Sequence, residues 1–171
     1  MRKHSNQQPN KTKKSVKPIP NGYNTVTPGL CVRQAVNALE FYKKAFGARE
    51  LMRMPGPGGK IMHAEIKLGN SIIFVSDEFP EMPCSARAPE TLKGVSSALY
   101  IYVENVDAAF DKAVKAGAKV NMPLTDMFWG DRYCQLQDPD GHIWALATHK
   151  EDLTPAEIAK RQERQFAVHS K

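Results

Sequence analysis

Two side chains that can transfer protons lie two residues apart in IMHAEIKL, residues 61–68. His63 and Glu65 alternate there with apolar residues, a pattern typical of a β-strand with one buried face. The imidazole and the carboxylate therefore share the face directed away from the core. If the protein is an enzyme, His63 or Glu65 is the first candidate for the general base, with a tyrosine as proton donor. A solvated sheet face without a chemical role has the same pattern.

Other predicted strands add aromatic and polar side chains by the same alternation. Trp129 follows them on a glycine-containing loop, where it could be a lid or a dimer contact. A concave lining of tyrosines with few polar groups suits an aromatic or amphipathic small molecule, unless Tyr100 and Tyr102 fill and close the space. The predicted binding residues are Thr27, Cys31, His63, Glu65, Phe74, Tyr100, Tyr102, Trp129, Tyr133 and Gln135.

The elements that position these residues occur twice. LEFYKKAFGARE at 39–50 and AAFDKAVKAGAKV at 108–120 are both amphipathic helices that end at a glycine, Gly47 or Gly117. A repeat at this spacing indicates two copies of one supersecondary unit. We predict an α+β fold in which two βαβββ modules form a cupped mixed sheet, followed by a C-terminal helix. The predicted ranges are module one 25–76 with its first strand at 25–32, a linker 77–96, module two 97–148, and a C-terminal helix and tail 151–171.

The positive charge of the chain is concentrated at its start. Six of the 24 Lys and Arg residues and none of the 18 Asp and Glu residues lie in residues 1–22, so the remainder is formally neutral. We predict that 1–22 is a disordered basic arm and that 23–150 form one folded domain. An alternative is nucleic-acid binding through the arm, but a neutral fold argues against it because phosphate contacts need clustered basic residues.

The cysteine content and the hydropathy predict a compartment. Three cysteines without metal-ligand spacing favour a reducing environment. No stretch looks like a secretory signal or reaches membrane-spanning length. We therefore expect a cytoplasmic protein that does not bind membranes.

Five ordered segments carry a family resemblance. They are TPGLCV, FYKKAFGA, HAEIKLGNSIIFVSDE, WGDR and DPDGHIWALATHKEDLTPAEIAKR, and they cover roughly residues 25–164. The chain resembles the vicinal oxygen chelate superfamily (glyoxalase, bleomycin resistance protein and dioxygenase), and within it the PhnB-like branch. This resemblance implies that the two modules form a pocket together, that the helices pack outside, and that the protein is a homodimer.

The same resemblance allows a test for the metal of the family. Its metal-dependent members take ligands from the first and last strands of each module, which correspond here to Thr27, Phe74, Ala98 and Ala145. No neighbour of these positions carries an imidazole or a carboxylate either, so we expect no metal and no cofactor. The leading hypothesis is a protein that binds a small organic molecule in the cup. The alternative is a glyoxalase-like lyase or isomerase with an atypical metal or acid–base site.

Overall fold

The computed structural model describes residues 16–83 and 85–169. Residues 1–15 of the predicted arm lie outside this part, and the arm's boundary at residue 22 stays a prediction. Module one has a sheet of order β1-β4-β3-β2, in which β1 is parallel to β4 and the other pairs are antiparallel. Its elements are β1 Gly29–Val32, α1 Ala35–Phe46, β2 Arg49–Pro55, β3 Ile61–Leu68 and β4 Ser71–Asp77, with a 3-10 turn Pro57–Gly59 before β3.

Module two repeats this order of elements. Its sheet is β5-β8-β7-β6, again with one parallel and two antiparallel pairs. The predicted α+β fold class is confirmed, including the C-terminal helix. No helix in the described ranges is long and apolar enough to cross a membrane. The elements are β5 Ala98–Tyr102, α3 Val106–Lys115, β6 Lys119–Asp126, β7 Asp131–Gln137 and β8 Ile143–His149, with α2 Pro89–Leu92 in the linker and α4 Pro155–His169 at the end.

The helix-facing sides of both sheets contribute to one hydrophobic core. Helices α1 and α3 pack against each other. Trp144 of β8 is fully buried and contacts the rings of Tyr42 and Phe46 of α1, with ring centroids 5.2 and 4.5 Å apart. Burial of such a side chain contributes about 2–3 kcal/mol. Because each sheet uses its helix-facing side in this shared core, the two opposite faces are directed away from it.

The Asp-Pro-Asp-Gly turn between β7 and β8 joins the two modules. Asp138 is buried, and its Oδ2 accepts hydrogen bonds from the Tyr42 hydroxyl at 2.8 Å and from Trp144 Nε1 at 3.0 Å. Asp140 accepts a bond from the backbone N–H of Arg33 at 2.9 Å. A buried carboxylate is stable only when its oxygens are paired. These contacts therefore fix how the turn of module two sits on α1.

The ends of α1 explain its position. Its first backbone N–H, that of Ala35, donates to the buried Asp77 carboxylate at 2.8 Å, and Ile61 N–H donates to the other oxygen at 2.6 Å. A carboxylate at a helix N-terminus is favoured by the helix dipole. At the other end Gly47 has φ +70°, the left-handed conformation that a C-cap requires. The strand at the end of module one thus anchors the start of its helix.

The first strand is shorter than the sequence predicts. It begins at Gly29 and not at residue 25, because Pro28 has no N–H with which to extend the ladder. The Pro28 carbonyl still accepts from Phe74 N–H at 2.9 Å. Residues 18–27 run as irregular chain across the sheet face, and we call them the N-terminal segment.

Candidate functional site

The first group of predicted site residues lies on the sheet face of module one that is turned away from α1. This module-one face carries Glu65 at its centre, on β3 opposite Phe74 of β4. The Tyr23 hydroxyl donates to Glu65 Oε2 at 2.5 Å, and His63 Nε2 lies 3.3 Å from Oε1. The bond to Glu65 raises the pKa of the Tyr23 hydroxyl. The predicted residues on this face are Cys31, His63, Glu65 and Phe74, whereas Thr27, which the sequence predicts on the first strand, lies in the N-terminal segment just before β1.

A cavity of about 470 Å³ lies between the module-one face and the N-terminal segment. Three predicted residues line it: Thr27, Glu65 and Phe74. The Phe74 ring is 6.2 Å from the Tyr23 ring and 4.8 Å from the His63 ring, between centroids. Sequence reasoning missed the residues of the N-terminal segment, although KPIPNGY places apolar residues in an otherwise polar stretch. They are Pro18, Ile19, Pro20, Tyr23, Asn24 and Thr25.

Cys31 shares this face but lies under the linker. Its thiol donates to the carbonyl of Ala86 at 3.1 Å, and the residue is buried. Burial, with the nearby Glu78 carboxylate, raises the pKa of the Cys31 thiol to about 11. The thiol is therefore protonated and unreactive at neutral pH.

The second group lies on the corresponding face of module two and is organised by a residue that the sequence did not single out. Asp131 is buried, and its Oδ2 accepts bonds from the hydroxyls of Tyr100 and Tyr102 at 2.9 and 3.0 Å and from Trp129 Nε1 at 3.1 Å. Its Oδ1 is 2.8 Å from His149 Nδ1. The WGDR motif was the available signal for this centre. The predicted residues of this module-two face are Tyr100, Tyr102, Trp129, Tyr133 and Gln135.

Titration behaviour follows from these contacts. Burial raises the pKa of the Asp131 carboxyl, but bonds from His149, the two tyrosines and Trp129 outweigh burial and hold this pKa below its ordinary value. The bonds to Asp131 and Asp152 raise the pKa of His149. Burial and the Asp131 carboxylate raise the pKa of Tyr100. At neutral pH this centre is thus a carboxylate with neutral phenols.

The rings of the module-two face form a continuous aromatic surface. Tyr100 lies 5.2 Å from Tyr102 and 5.7 Å from Tyr133, and Trp129 lies 5.9 Å from Tyr133, between centroids. Gln135 Nε2 donates to the Tyr133 hydroxyl at 3.4 Å. Tyr100 and Tyr102 are 47% and 63% exposed, so these rings are available for contact in the single chain.

The two groups do not meet within one chain. Among residues 16–83 and 85–169, no side-chain hydrogen bond or ring contact joins the module-one face to the module-two face. The reason is the shared core, which occupies the helix-facing side of both sheets. One chain therefore presents two separate lining surfaces.

The side chains present do not fit the divalent-metal site that the resemblance implies. The sequence comparison predicts the ligand positions at Thr27, Phe74, Ala98 and Ala145, and none of these residues has a carboxylate or an imidazole. In the described part of the chain, no group of three or more His, Cys, Asp or Glu residues could hold a metal ion. His63 and Glu65 provide two donors on the module-one face, which is fewer than a protein metal site uses.

Known proteins share this sequence and architecture. Residues 23–146 match the family model of the Glyoxalase/Bleomycin resistance protein/Dioxygenase superfamily. Mb0911c of Mycobacterium bovis is 39% identical over 135 residues, which are 78% of this chain and 88% of that protein. The crystal structure of TioX from Micromonospora sp. ML1 has 27% identity and a TM-score of 0.57 over 74% of this chain and 98% of TioX.

A PhnB protein from Bacillus cereus has the same fold, with a TM-score of 0.56 at 18% identity over 73% of this chain and 99% of that one. The match to the family model and the 39% identity to Mb0911c each extend over most of the chain. The chain belongs to the glyoxalase/bleomycin resistance protein/dioxygenase superfamily.

Proposed function

We propose that this protein, as a PhnB-like member of its superfamily, binds a small organic molecule on the module-one face without a metal. The observation that carries the proposal is the cavity between Glu65, Phe74 and the N-terminal segment. It combines aromatic and aliphatic walls with one carboxylate, as small-molecule sites commonly do. The absence of a ligand set at the four family positions favours binding over metal-dependent chemistry. The reducing compartment inferred from the cysteines makes the cytoplasm the proposed location.

The proposed assembly is a homodimer. In the described sheets β1 and β5 are edge strands, each with one side unpaired, and edge strands are natural sites of association. A second copy would bring its module-two face, rich in tyrosine, to the module-one face of the first. Each pocket would then have one half from each chain.

Native mass spectrometry of freshly purified, untagged protein tests both parts of this proposal. We expect the mass of a dimer without a divalent ion, and with an organic adduct. The variant Phe74→Ala should lower adduct occupancy, while Leu92→Ala, at an exposed position of α2, should not. A stoichiometric divalent ion that a chelator removes would contradict the proposal.

The dimer has its own matched pair of variants. Ala98 is an exposed residue of the β5 edge, and Ala108 is an exposed residue of α3. Ala98→Glu should shift the mass towards the monomer because it places a charge at the proposed junction, and Ala108→Glu should leave the dimer intact. A dimer that tolerates Ala98→Glu would contradict an interface at this edge.

A second candidate function is acid–base catalysis on the same face, and the contacts of Glu65 with Tyr23 and His63 favour it. Glu65 would accept a proton and Tyr23 would donate one, as in a lyase or isomerase. The test is turnover of a substrate identified from the adduct. Enzymatic activity should fall at least about 100-fold in Glu65→Gln if this function is correct, and full turnover in that variant would exclude it.

A further inference from the structure

The charge and the ring faces around Glu65 indicate which ligands the module-one cavity can accept. Among the described residues that line it, Glu65 is the single charged one, and the others are apolar or neutral polar. Its side chain is 15% exposed, so it is largely removed from water. A carboxylate in such surroundings attracts positive charge more strongly than an exposed one does.

Glu65 also lacks a permanent counter-ion in the part of the chain that the structure describes. No lysine or arginine there lies within ion-pair distance of it, and its contacts are the Tyr23 hydroxyl and the His63 ring. Lys67 shares the strand face two residues further on, but it is opposite Ile72 and does not line the cavity. A carboxylate offers about four lone-pair positions. Two contacts leave acceptor capacity for a ligand.

The neighbouring rings add a second recognition element. Tyr23 and Phe74 both line the cavity beside Glu65, and Phe74 is in edge contact with His63. The faces of aromatic rings attract cations, most of all where water is excluded. Pro18, Ile19 and Pro20 add aliphatic side chains to the lining. A carboxylate, two aromatic rings and aliphatic side chains together suit a protonated amine attached to an apolar body.

We infer that the module-one cavity selects organic cations, with Glu65 as counter-ion and with Tyr23 and Phe74 as ring contacts. This inference rests on the proposed function and adds the class of ligand to it. Tyr23 holds the Glu65 carboxylate in place before the ligand arrives, and the amine then binds the remaining acceptor positions. Anionic ligands are disfavoured because the same carboxylate repels them.

Three probes with the same ring system test the inference by titration calorimetry of the full chain at pH 7. They are 1-naphthylmethylamine, 1-naphthylmethanol and 1-naphthoate, which carry a positive, a neutral and a negative group on one ring system. We expect the amine to bind at least about tenfold more tightly than the other two, because hydrogen bonds to charged partners are the stronger ones. Equal binding of the amine and the alcohol would overturn the inference.

Two variants test whether Glu65 is the source of the preference for the amine. Glu65→Gln should remove the preference for the amine, while Glu104→Gln, at an exposed position between β5 and α3, should preserve it. Circular dichroism verifies that both variants are folded. If Glu65→Gln does not fold, nuclear Overhauser effects in the wild-type protein decide the matter: the amine should contact the Phe74 and Tyr23 rings, and contacts confined to other residues would overturn the inference.

The outcomes separate this inference from the proposed function. If all three probes bind equally and Phe74→Ala weakens all of them, small-molecule binding stands and the cation preference is wrong. If no probe binds and native mass spectrometry shows no organic adduct, both are wrong.

Discussion

The two modules have the same order of elements but treat their outer faces differently. In module one the face is covered, by the N-terminal segment at one end and by the linker over Cys31 at the other. Its carboxylate, Glu65, accepts a hydrogen bond from the hydroxyl of Tyr23, which lies outside the module. In module two the face is open, and its carboxylate, Asp131, is saturated by residues of the same module.

This difference separates two uses of a carboxylate on a sheet face. Asp131 accepts hydrogen bonds from two tyrosines, Trp129 and His149, and we interpret it as a residue that positions these rings. Glu65 has capacity left and faces a cavity, so it can bind something else. A repeated fold can therefore hold a structural acid in one copy and a binding acid in the other.

The largest expected effect comes from breaking the buried hydrogen bonds of the Asp-Pro-Asp-Gly turn. Asp138→Ala leaves the Tyr42 hydroxyl and Trp144 Nε1 without their acceptor in the core. Each unsatisfied buried donor costs about 1–3 kcal/mol, so we expect a loss of about 3 kcal/mol in the free energy of unfolding. Urea denaturation measures it, with Asp111→Ala on the exposed side of α3 as the control. A loss no greater than that of the control would refute the role of this turn.

The comparison of the two acids predicts the next effect. Asp131→Asn replaces an acceptor of four hydrogen bonds by an amide that also donates, and we expect a loss of about 2 kcal/mol. Glu65→Gln should cost less than about 1 kcal/mol, since its oxygens have fewer partners. Thermal denaturation of both variants gives the two values. Equal losses would remove the distinction between a structural and a binding acid.

The pH dependence of stability should report the contacts of His149 beside the module-two face. Asp131 and Asp152 raise the pKa of His149 in the folded state. A raised pKa contributes stability that is fully present below the ordinary value of 6.5 and is lost as pH rises through the folded value. The melting temperature of the wild-type protein should therefore fall between pH 6 and pH 9 by more than that of His149→Gln. Parallel curves for the two proteins would show that His149 does not contribute.

The smallest expected effect on stability concerns the N-terminal segment that lies across the module-one face. Tyr23→Phe removes one partly exposed hydrogen bond, and we expect a change in unfolding free energy below about 1 kcal/mol. Locally the effect should be clearer, with faster amide hydrogen exchange in residues 18–27 and unchanged exchange in β7 and β8. Mass spectrometry of exchanged peptides measures both. Unchanged exchange in residues 18–27 would mean that Tyr23 does not hold the segment on the sheet.

The sequence predicts the faces well because alternation along a strand is a local property. His63 and Glu65 share a face, and so do Tyr100 and Tyr102, as their spacing of two residues requires. The capping box that opens α4 is local too, with Thr154 N–H donating to Glu157 at 2.8 Å.

What covers a face is not a local property. Tyr23 reaches Glu65 across 42 residues, and Tyr100 reaches Asp131 across 31. Alternation assigns a side chain to one side of its sheet without specifying which other segment arrives there. The alternation pattern also does not predict how the two sheets are placed relative to each other. For this reason the sequence predicts a single lining where the structure has two separate faces. The separation follows from Trp144 packing on α1, a contact between modules.

That packing has a consequence for how the chain is made. Helix α1 completes its surroundings only with Trp144 and the turn at Asp138, which belong to the last hairpin of module two. During synthesis, Tyr42 and Phe46 leave the ribosome before the hairpin that covers them. Module one alone therefore lacks part of the cover of α1. Until that hairpin has emerged, we expect these rings to be exposed in the nascent chain.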